Sequence, residues 1–401
     1  MTLAGDAVAR LVREEGTRVL ATLVRVTGSV DLAEDAVQDA VVRALETWPR
    51  DGVPENPRFW LMVAARHRAV DVVRREAKRL GKEAGAMPVV DPFPDPVTVR
   101  DDLLRLIFTC CHPALSLDAQ VALALRTLGG LSTAEVARGL LVPEATMAKR
   151  LTRAKQKIAQ ARIPYRVPSA EELPARLSGA ASTIYLIFNE GYASTDVVRV
   201  SLVAEAIRLA RLLAELMPDE PTALGLLALL LLHDARRATR ADAEGLPILL
   251  ADQHRGAWDP ELIKEGVTLV GVALRRTPSA PNPYVVQAAI AACHDLVGSY
   301  AETNWDAVIS WYDVLLSVQD TPVVHLNRAA AIAERDGAAA GLDLVDAITG
   351  LDDYPWWHAT RAELLHRLGS PDCLTAYEHA VATGLAPAHA RHLSRRLSTI
   401  D

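Results

Sequence analysis

The sequence predicts an all-α protein, and three observations support this fold class. Aromatic residues make up only 5% of the 401 residues, while Ala, Leu and Arg are abundant, a composition that favours helix. Apolar residues recur at spacings of three and four, as in Val8, Leu11 and Val12. Prolines and glycines separate these stretches, as expected for helices joined by short connections. One such helix is predicted over 32–48, with Asp31 as its cap.

Two proline-rich segments divide the predicted helices into three parts, and a chain of this length is expected to form two or three domains. Residues 83–101 hold four prolines between positions 88 and 96, so this segment cannot pack as helix and is a predicted linker. A second proline-flanked junction, IPYRVPSAEELP, covers residues 163–174. The predicted organisation is therefore a helical domain over 1–82, a linker over 83–101, a helical domain over 102–162 and a helical extension over 163–401.

The formal net charge of −7 conceals an uneven distribution of charge. Residues 1–162 hold 24 Lys and Arg against 20 Asp and Glu, whereas residues 163–401 hold 19 against 30. Within the N-terminal part, residues 58–82 carry eight bases and two acids, and residues 143–162 carry six bases and one acid. Two such basic patches are typical of a protein that binds nucleic acid.

Residues 131–158 have the pattern of a helix-turn-helix unit, whose second helix enters a DNA major groove. Ser132 and Glu135 predict a capping box at the first helix, and Pro143 interrupts the pattern before the second helix. Met147 and Leu151 lie on the side of the second helix that packs against the first. The opposite side carries the predicted DNA contacts, namely Ala145, Ala148, Lys149, Arg150, Thr152 and Arg153.

These six residues divide into two chemical groups. The bases Lys149, Arg150 and Arg153 are placed for phosphate contacts, which contribute affinity without sequence information. The shorter Ala145, Ala148 and Thr152 would face base edges, where Lys149 and Arg153 could also reach guanine. The same pattern would also arise in an amphipathic helix pair with a solvated basic face.

Further segments resemble a known family. DLAEDAVQDAVVRALETW (31–48) and NPRFWLMVAARHRAVDVVRREAKR (56–79) resemble region 2 of extracytoplasmic-function (ECF) sigma factors, and residues 131–158 resemble their region 4. The resemblance covers about residues 5–162 in the family's order. LRLIFTCCHPALS (104–116) and IYLIFNEGY (184–192) resemble the ECF subgroup that has a C-terminal TPR-like extension. The resemblance implies an alternative sigma factor that recognises −35 and −10 promoter elements.

The resemblance also implies partners and contact residues. Core RNA polymerase would bind through its β′ clamp helices and its β flap, and the clamp helices would contact Asp35, Gln38 and Asp39 on one face of a helix. A solvated acidic face is the alternative interpretation of those three residues. The loop over 50–58 would capture a flipped base of promoter DNA, with Asn56 hydrogen-bonding to it. The implied contacts to the −10 element are Asn56, Arg58, Trp60, Arg66, His67, Arg68, Arg74 and Arg75.

Two of the side chains assigned to the −10 element, Trp60 and His67, differ from what the resemblance alone implies. Trp60 would pack in the core as readily as it would contact DNA, because an aromatic residue at a helix start often lies under its own loop. His67 stands where the family usually has asparagine, so the family's preference at the −10 element does not carry over to this chain.

The C-terminal extension shows a recurrence typical of helical repeats. Four residues recur with one common separation in sequence, close to the TPR period of about 34 residues. They are Pro322, His325, Arg328 and Ala329, which are matched in order by Pro355, His358, Arg361 and Ala362. An α-helical repeat region is therefore predicted. The acidic extension would either receive a regulatory protein in a concave groove or cover the basic patches and inhibit them.

The segment FNEGY also lies in the extension and is open to two interpretations. Asn189, Glu190 and Tyr192 are candidates for a contact between the extension and the sigma domains, or for a structural turn. Gly191 is the expected stop of the preceding helix.

No pattern in the sequence predicts catalysis, a cofactor or a metal site. Cys110, Cys111 and His112 are adjacent, so their side chains diverge on a helix and converge poorly on one ion. Neither a signal peptide nor a membrane span is predicted, and a cytoplasmic location without membrane contact is expected. The alternative function is a one-component helix-turn-helix regulator whose helical domain senses a ligand or partner.

Overall fold

The computed structural model describes residues 3–79, 96–140, 142–161, 163, 165–192, 197–277, 280–383 and 387–397. In these ranges the chain forms 18 α-helices and no β-strand, apart from one isolated bridge between Ala241 and Pro247. The predicted all-α fold class is confirmed. Among the described helices, none has the length and apolar character needed to cross a membrane.

The chain divides into two compact units, Met1–Leu216 and Met217–Asp401. The helices of the first unit are α1 (Leu3–Thr27), α2 (Val30–Asp51), α3 (Pro57–Arg79), α4 (Pro96–Cys110), α5 (Leu117–Thr127), α6 (Thr133–Gly139), α7 (Glu144–Gln160), α8 (Leu173–Tyr192) and α9 (Val197–Leu216). The helices of the second unit are α10 (Pro221–Ala235), α11 (Pro260–Arg276), α12 (Pro283–Asp295), α13 (Trp305–Val318), α14 (Pro322–Asp336), α15 (Ala338–Asp346), α16 (Pro355–Arg367), α17 (Cys373–Ala382) and α18 (Pro387–Leu397).

Helices α1, α2 and α3 pack together, and two details of α2 differ from the sequence-based expectation. Its N-cap is Ser29, whose hydroxyl accepts from Leu32 N at 3.3 Å, so the cap is not the expected Asp31. The helix also continues through Pro49 to Asp51, and its C-cap is Gly52, where φ is +84°. Glycine adopts this left-handed conformation without steric cost, so the break comes at Gly52 and the loop before α3 is shorter than predicted.

The helix-turn-helix unit is α6 and α7, and its capping box is confirmed. Ser132 Oγ accepts from Glu135 N at 3.2 Å, while Glu135 Oε2 accepts from Ser132 N at 2.7 Å. Val142 N donates to Ala137 O at 2.9 Å in the turn between the helices. The hydroxyl and the backbone N–H of Ser132 each donate to the Glu135 carboxylate at 2.7 Å, which favours its charged form and lowers the pKa of its carboxyl.

The hairpin of α8 and α9 packs directly onto the helix-turn-helix domain. A Cβ added at Gly139 of α6 would lie 3.2 Å from Leu202 of α9, so the two helices approach closely there. Arg208 of α9 donates to Leu128 O at 2.6 Å, and Thr183 of α8 lies 3.1 Å from Gln120 Oε1 in the buried interior. The compact unit therefore continues past the junction at 163–174 to Leu216, and the module boundary at 163 stays a sequence-based prediction.

In the second unit, two successive helix pairs repeat one ion pair. Arg328 of α14 donates to Asp313 at 2.7 Å, and Arg361 of α16 donates to Asp346 at 2.7 Å. The two arginines are separated in the chain by the same number of residues as the two aspartates. Helices α14 and α16 also each begin at a proline. The structure thus repeats a side-chain contact at the period found in the sequence, while the TPR-like classification stays a prediction.

Close packing of α10 against α12 gives a stability prediction. A Cβ at Gly225 would lie 2.5 Å from Val285 Cγ2 and 2.8 Å from Val285 N, and the backbone atom cannot move aside easily. We expect Gly225→Ala to destabilise the second unit by about 1–3 kcal/mol because it overpacks this contact. Scanning calorimetry of the full chain measures the shift.

Gly271→Ala is the matched control, because a Cβ there would meet only the flexible end of Arg275 at 3.4 Å. Alanine is the better helix former, so this variant should be neutral or more stable by up to about 1 kcal/mol. An unchanged transition temperature for Gly225→Ala would contradict the close α10–α12 contact.

Candidate nucleic-acid interface

Helix α7 separates a buried face from an exposed one, as the sequence predicts for a DNA-reading helix. Met147, Leu151 and Ala154 are buried. The predicted DNA contacts Ala145, Ala148, Lys149, Thr152 and Arg153 are exposed, and Arg150 is partly buried. The structure therefore brings five of the six predicted contacts together on one solvent-facing surface.

Two of these side chains already have intramolecular partners. The Thr152 hydroxyl donates to Ala148 O at 2.9 Å, so its hydrogen is used within the helix and the oxygen keeps acceptor capacity. Arg150 lies 3.5 Å from the exposed carboxylate of Asp118 on α5. Binding to phosphate would have to compete with this ion pair at Arg150.

Lys155, a further base on α7, points away from solvent and contacts α2. Its side chain is 18% exposed, and its Nζ lies 2.8 Å from both Glu34 Oε2 and Asp31 Oδ1. Thr127 of α5 donates to the other oxygen of Glu34 at 3.0 Å. Burial opposes the charge of Lys155, but the two carboxylates more than compensate and raise the pKa of its ammonium. Sequence reasoning missed this contact because Lys155 reads as part of the basic patch.

A second set of contacts joins α1 to α4. Arg25 donates to Asp102 at 3.0 Å, Arg105 donates to the same carboxylate at 3.1 Å, and Tyr165 Oη lies 2.8 Å from Ala21 O and 3.0 Å from Asp102 O. The side chain of Asp102 is fully buried. Its burial raises the pKa of its carboxyl despite the two guanidinium groups.

The exposed face of α2 carries the three residues expected to contact polymerase. Asp35, Gln38 and Asp39 all lie on the solvent side. Asp39 forms an ion pair with Arg68 of α3, one of the predicted DNA contacts. Two apolar neighbours that sequence reasoning did not assign, Val42 and Leu45, are 53% and 46% exposed on the same helix. Exposed apolar side chains beside acids suit a protein interface better than a purely solvated face.

The loop between α2 and α3 is short and capped. Asn56 is exposed, and its Oδ1 accepts from Phe59 N at 3.0 Å, so it is the N-cap of α3. The amide nitrogen of the same side chain is not used in that bond. Trp60 is partly buried and contacts the buried Trp48 edge-on, with ring centroids 5.4 Å apart. Trp60 therefore has the packing role that the sequence left open, together with partial exposure.

The other side chains predicted to contact the −10 element lie along α3 and at its start. Arg58 pairs with Glu15 of α1 at 3.2 Å. Arg66 is partly buried and His67 is exposed. Arg74 and Arg75 lie on α3, but their side chains are outside the described part of the chain.

Asn189, Glu190 and Tyr192 lie in the last turn of α8, partly buried. Tyr192 stacks on Phe188 with ring centroids 4.9 Å apart. Gly191 is inside the helix, so it is not the expected helix stop. Their role in a contact between the extension and the rest of the chain stays a prediction.

The TCCHP segment is packed and not reactive. Cys110 and Cys111 are buried, and burial raises the pKa of both thiols, that of Cys111 to about 12. Both thiols therefore stay protonated at neutral pH. Because the thiolate is the reactive and metal-binding form of cysteine, neither residue is suited to redox chemistry or metal binding. His112 Nδ1 accepts from Ala114 N at 3.1 Å in the turn after α4. In the ranges that the structure describes, no group of three or more His, Cys, Asp or Glu could hold a metal ion.

Three family models match the chain, in the order that the sequence predicts. Sigma-70 region 2 matches residues 11–79, and Sigma-70 region 4 matches residues 105–158. A family of unknown function, DUF6596, matches residues 176–274, which begin in the first compact unit and end in the second.

Curated relatives agree with these matches. The chain is 39% identical to an uncharacterized protein of Rhizobium meliloti (strain 1021), over 95% of this chain and 92% of that one. It is 31% identical to the ECF RNA polymerase sigma factor SigC of Mycobacterium tuberculosis (strain CDC 1551 / Oshkosh), over 31% of this chain and 68% of that one. It is 30% identical to the ECF RNA polymerase sigma factor SigK of Mycobacterium sp. (strain KMS), over 36% and 78%.

The chain belongs to the ECF family of RNA polymerase sigma factors. In this ECF sigma factor, most of α1 and all of α2 and α3 lie within the region 2 match, and α5, α6 and most of α7 lie within the region 4 match. A one-component regulator has no need of region 2, so the match over residues 11–79 disfavours that alternative. Region 2 denotes α1–α3, and region 4 denotes α5–α7.

Two of the carboxylates that pair with arginine, Asp102 and Asp39, should differ in their effect on stability. We expect Asp102→Ala to lower the free energy of unfolding by about 1–3 kcal/mol, because Arg25 and Arg105 lose a buried acceptor. Asp39→Ala should cost less than about 1 kcal/mol, because its ion pair with Arg68 is exposed to solvent. Urea unfolding followed by circular dichroism compares them, and equal effects would contradict this difference in burial.

Proposed function

We propose that this ECF sigma factor binds core RNA polymerase through α2 and directs it to promoters through two separate DNA-reading surfaces. It acts as a recognition subunit and performs no catalysis of its own. The observation that carries the proposal is the exposed face of α7, which presents Ala145, Ala148, Lys149, Thr152 and Arg153 on a helix held by a capped helix-turn-helix.

The −35 element is the proposed ligand of α7. Lys149 and Arg153 are exposed beside two alanines. The small alanines let the helix approach the edges of the DNA bases closely, while the lysine and arginine side chains reach phosphate or guanine. Arg150 contributes less, because it lies near Asp118 and is partly buried. Lys155 does not take part while it is bound to α2.

The −10 element is the proposed ligand of the loop before α3 and of α3 itself. The loop ends at Asn56, whose amide group can donate to an unpaired base while its oxygen caps the helix. Arg66 and His67 follow on α3, where they can contact the backbone of the separated strand. Trp60 stabilises the loop from below by its contact with Trp48.

Core polymerase is the proposed partner of the α2 face. Its β′ clamp helices would meet an acidic and apolar surface made by Asp35, Asp39, Val42 and Leu45. Region 4 would meet the β flap. The second compact unit is acidic and helical, and we propose that it is the regulatory part, which receives a partner protein.

Run-off transcription with purified core polymerase tests the polymerase contact. We expect promoter-dependent transcript in the presence of the wild-type protein, and at least about 10-fold less with Asp39→Arg, since a reversed charge at a rim contact costs about 1.4 kcal/mol or more. Glu171→Arg is the control, because Glu171 is exposed outside both regions. Absence of transcript together with a shift of duplex DNA by the protein alone would favour the one-component regulator.

Salt-dependent binding to a promoter fragment tests the α7 face. We expect Lys149→Ala and Arg153→Ala each to weaken binding and to reduce the salt slope by about 0.9, the value for one lost phosphate contact. Arg150→Ala should have a smaller effect, because Asp118 already neutralises part of its charge. Equal slopes for all three variants and the wild type would remove α7 from the interface.

A further inference from the structure

The second compact unit holds two arginines against one tryptophan ring. Arg236 is the C-cap of α10, and Arg255 begins the 3₁₀ turn Arg255–Ala257. Their guanidinium carbons lie 5.7 Å and 4.7 Å from the centroid of the Trp258 ring. Trp258 Nε1 donates to Thr239 Oγ1 at 2.8 Å, so the ring is fixed in place. The two positive charges are therefore held close to each other.

Each of these guanidinium groups has a buried N–H without an acceptor. Arg236 Nη2 lies 2.9 Å from His233 Nδ1, and Arg255 Nη1 donates to His294 O and, at 3.2 Å, to Val297 O. Arg236 Nε and Arg255 Nη2 are also buried, and neither has a hydrogen-bond partner among the residues that the structure describes. The Arg236 side chain is only 9% exposed. A buried donor on a charged group is costly to leave unpaired, so both atoms point to a ligand with acceptor oxygens.

Asp295, the last residue of α12, balances only part of the charge. Its side chain is fully buried, and its Oδ1 lies 3.5 Å from Arg236 Nε, longer than an ordinary hydrogen bond. Burial raises the pKa of Asp295 to about 6, although Arg236 and Arg255 both act against this shift. We call Arg236, Arg255 and Asp295 the arginine centre. At neutral pH the centre holds two positive charges and one negative charge.

The titratable groups around the arginine centre do not remove this excess. Burial and the nearby arginines lower the pKa of His233 and that of His294, the latter to about 4, so both imidazoles are neutral at pH 7. Asp234 forms an ion pair with Arg237. Glu302 acts on Arg255, but its side chain is exposed and its charge is screened by solvent.

We propose that Arg236 and Arg255 bind the carboxylate group of a small organic acid, and that Asp295 takes up one proton from solvent when this anion binds. The two oxygens of a carboxylate can accept one hydrogen bond each from Arg236 Nε and Arg255 Nη2. Its single negative charge equals the excess charge of the arginine centre. Water could accept the same hydrogen bonds, but it would leave that charge uncompensated.

The proton follows from the position of Asp295 beside the proposed ligand. A second negative charge near a buried carboxylate favours the protonated form of that carboxylate. Protonated Asp295 can donate a hydrogen bond to the bound anion, whereas ionised Asp295 would repel it. Binding of the anion is therefore expected to strengthen as the pH falls towards the pKa of Asp295, about 6.

Calorimetric titration of the full chain with sodium acetate tests the site, with sodium chloride holding the ionic strength constant. We expect saturable binding at one site, with an affinity about 10-fold higher at pH 7 than at pH 8, the ratio for uptake of one proton. Repeating the titration in two buffers of different ionisation enthalpy measures that proton directly.

Three variants separate a binding role from a structural one. Asp295→Asn keeps the shape but removes the negative charge, so at pH 8 it should bind acetate at least about 10-fold more tightly and without proton uptake. Arg255→Lys keeps the positive charge but lacks Nη2, and it should bind about five-fold more weakly. Arg276→Lys is the control, because Arg276 pairs with the exposed Asp219 in the same unit. Circular dichroism checks that each variant keeps its helices.

Three results would overturn the carboxylate site. They are no saturable binding of acetate at either pH, equal binding by Arg255→Lys and the wild type, and equally tight binding of inorganic phosphate. If Asp295→Asn does not fold, Arg255→Lys and the proton uptake of the wild type still decide. None of these measurements uses polymerase or DNA, so their outcome is independent of run-off transcription and of the proposed function.

Discussion

The buried carboxylate of Glu34 is the interaction on which the arrangement of the first unit depends. It accepts a hydrogen bond from Thr127 and one from Lys155, so three helices from two regions meet at one side chain. A charge in that position is tolerated only because both oxygens are hydrogen-bonded and an ammonium lies next to it. The same dependence makes the contact reversible, since water can replace every partner.

Around this centre, each functional surface is used partly for internal contacts. The three ion pairs concerned each have at least one exposed partner, and such pairs contribute about 1 kcal/mol or less each. They join Asp39 to Arg68, Arg58 to Glu15, and Arg150 to Asp118. The proposed DNA and polymerase contacts can therefore exchange these partners for external ones at little cost, whereas the α7 residues Lys149 and Arg153 remain exposed.

The α8–α9 hairpin belongs to the same compact unit as region 4. Leu202 packs against Gly139, and Arg208 donates to Leu128 O, so the hairpin covers part of region 4. Removal of the extension at residue 163 would expose these contacts, whereas a cut after Leu216 follows the division between the compact units. Activity lost on a cut at 163 would report lost packing as much as lost regulation.

The sequence by itself determined the all-α class, the helix-turn-helix with its Ser132–Glu135 capping box, and which side of α7 faces solvent. These features depend on periodicity and local hydrogen bonds, which neighbouring residues encode. Only the tertiary structure decided that Lys155 pairs with Glu34, which is 121 residues away in the chain. The identity of a charged residue does not show whether its partner is water, DNA or a distant carboxylate. It also decided that α2 continues past Pro49 to Asp51, because the buried Trp48 in the last turns of this helix packs against Trp60 of the distant start of α3.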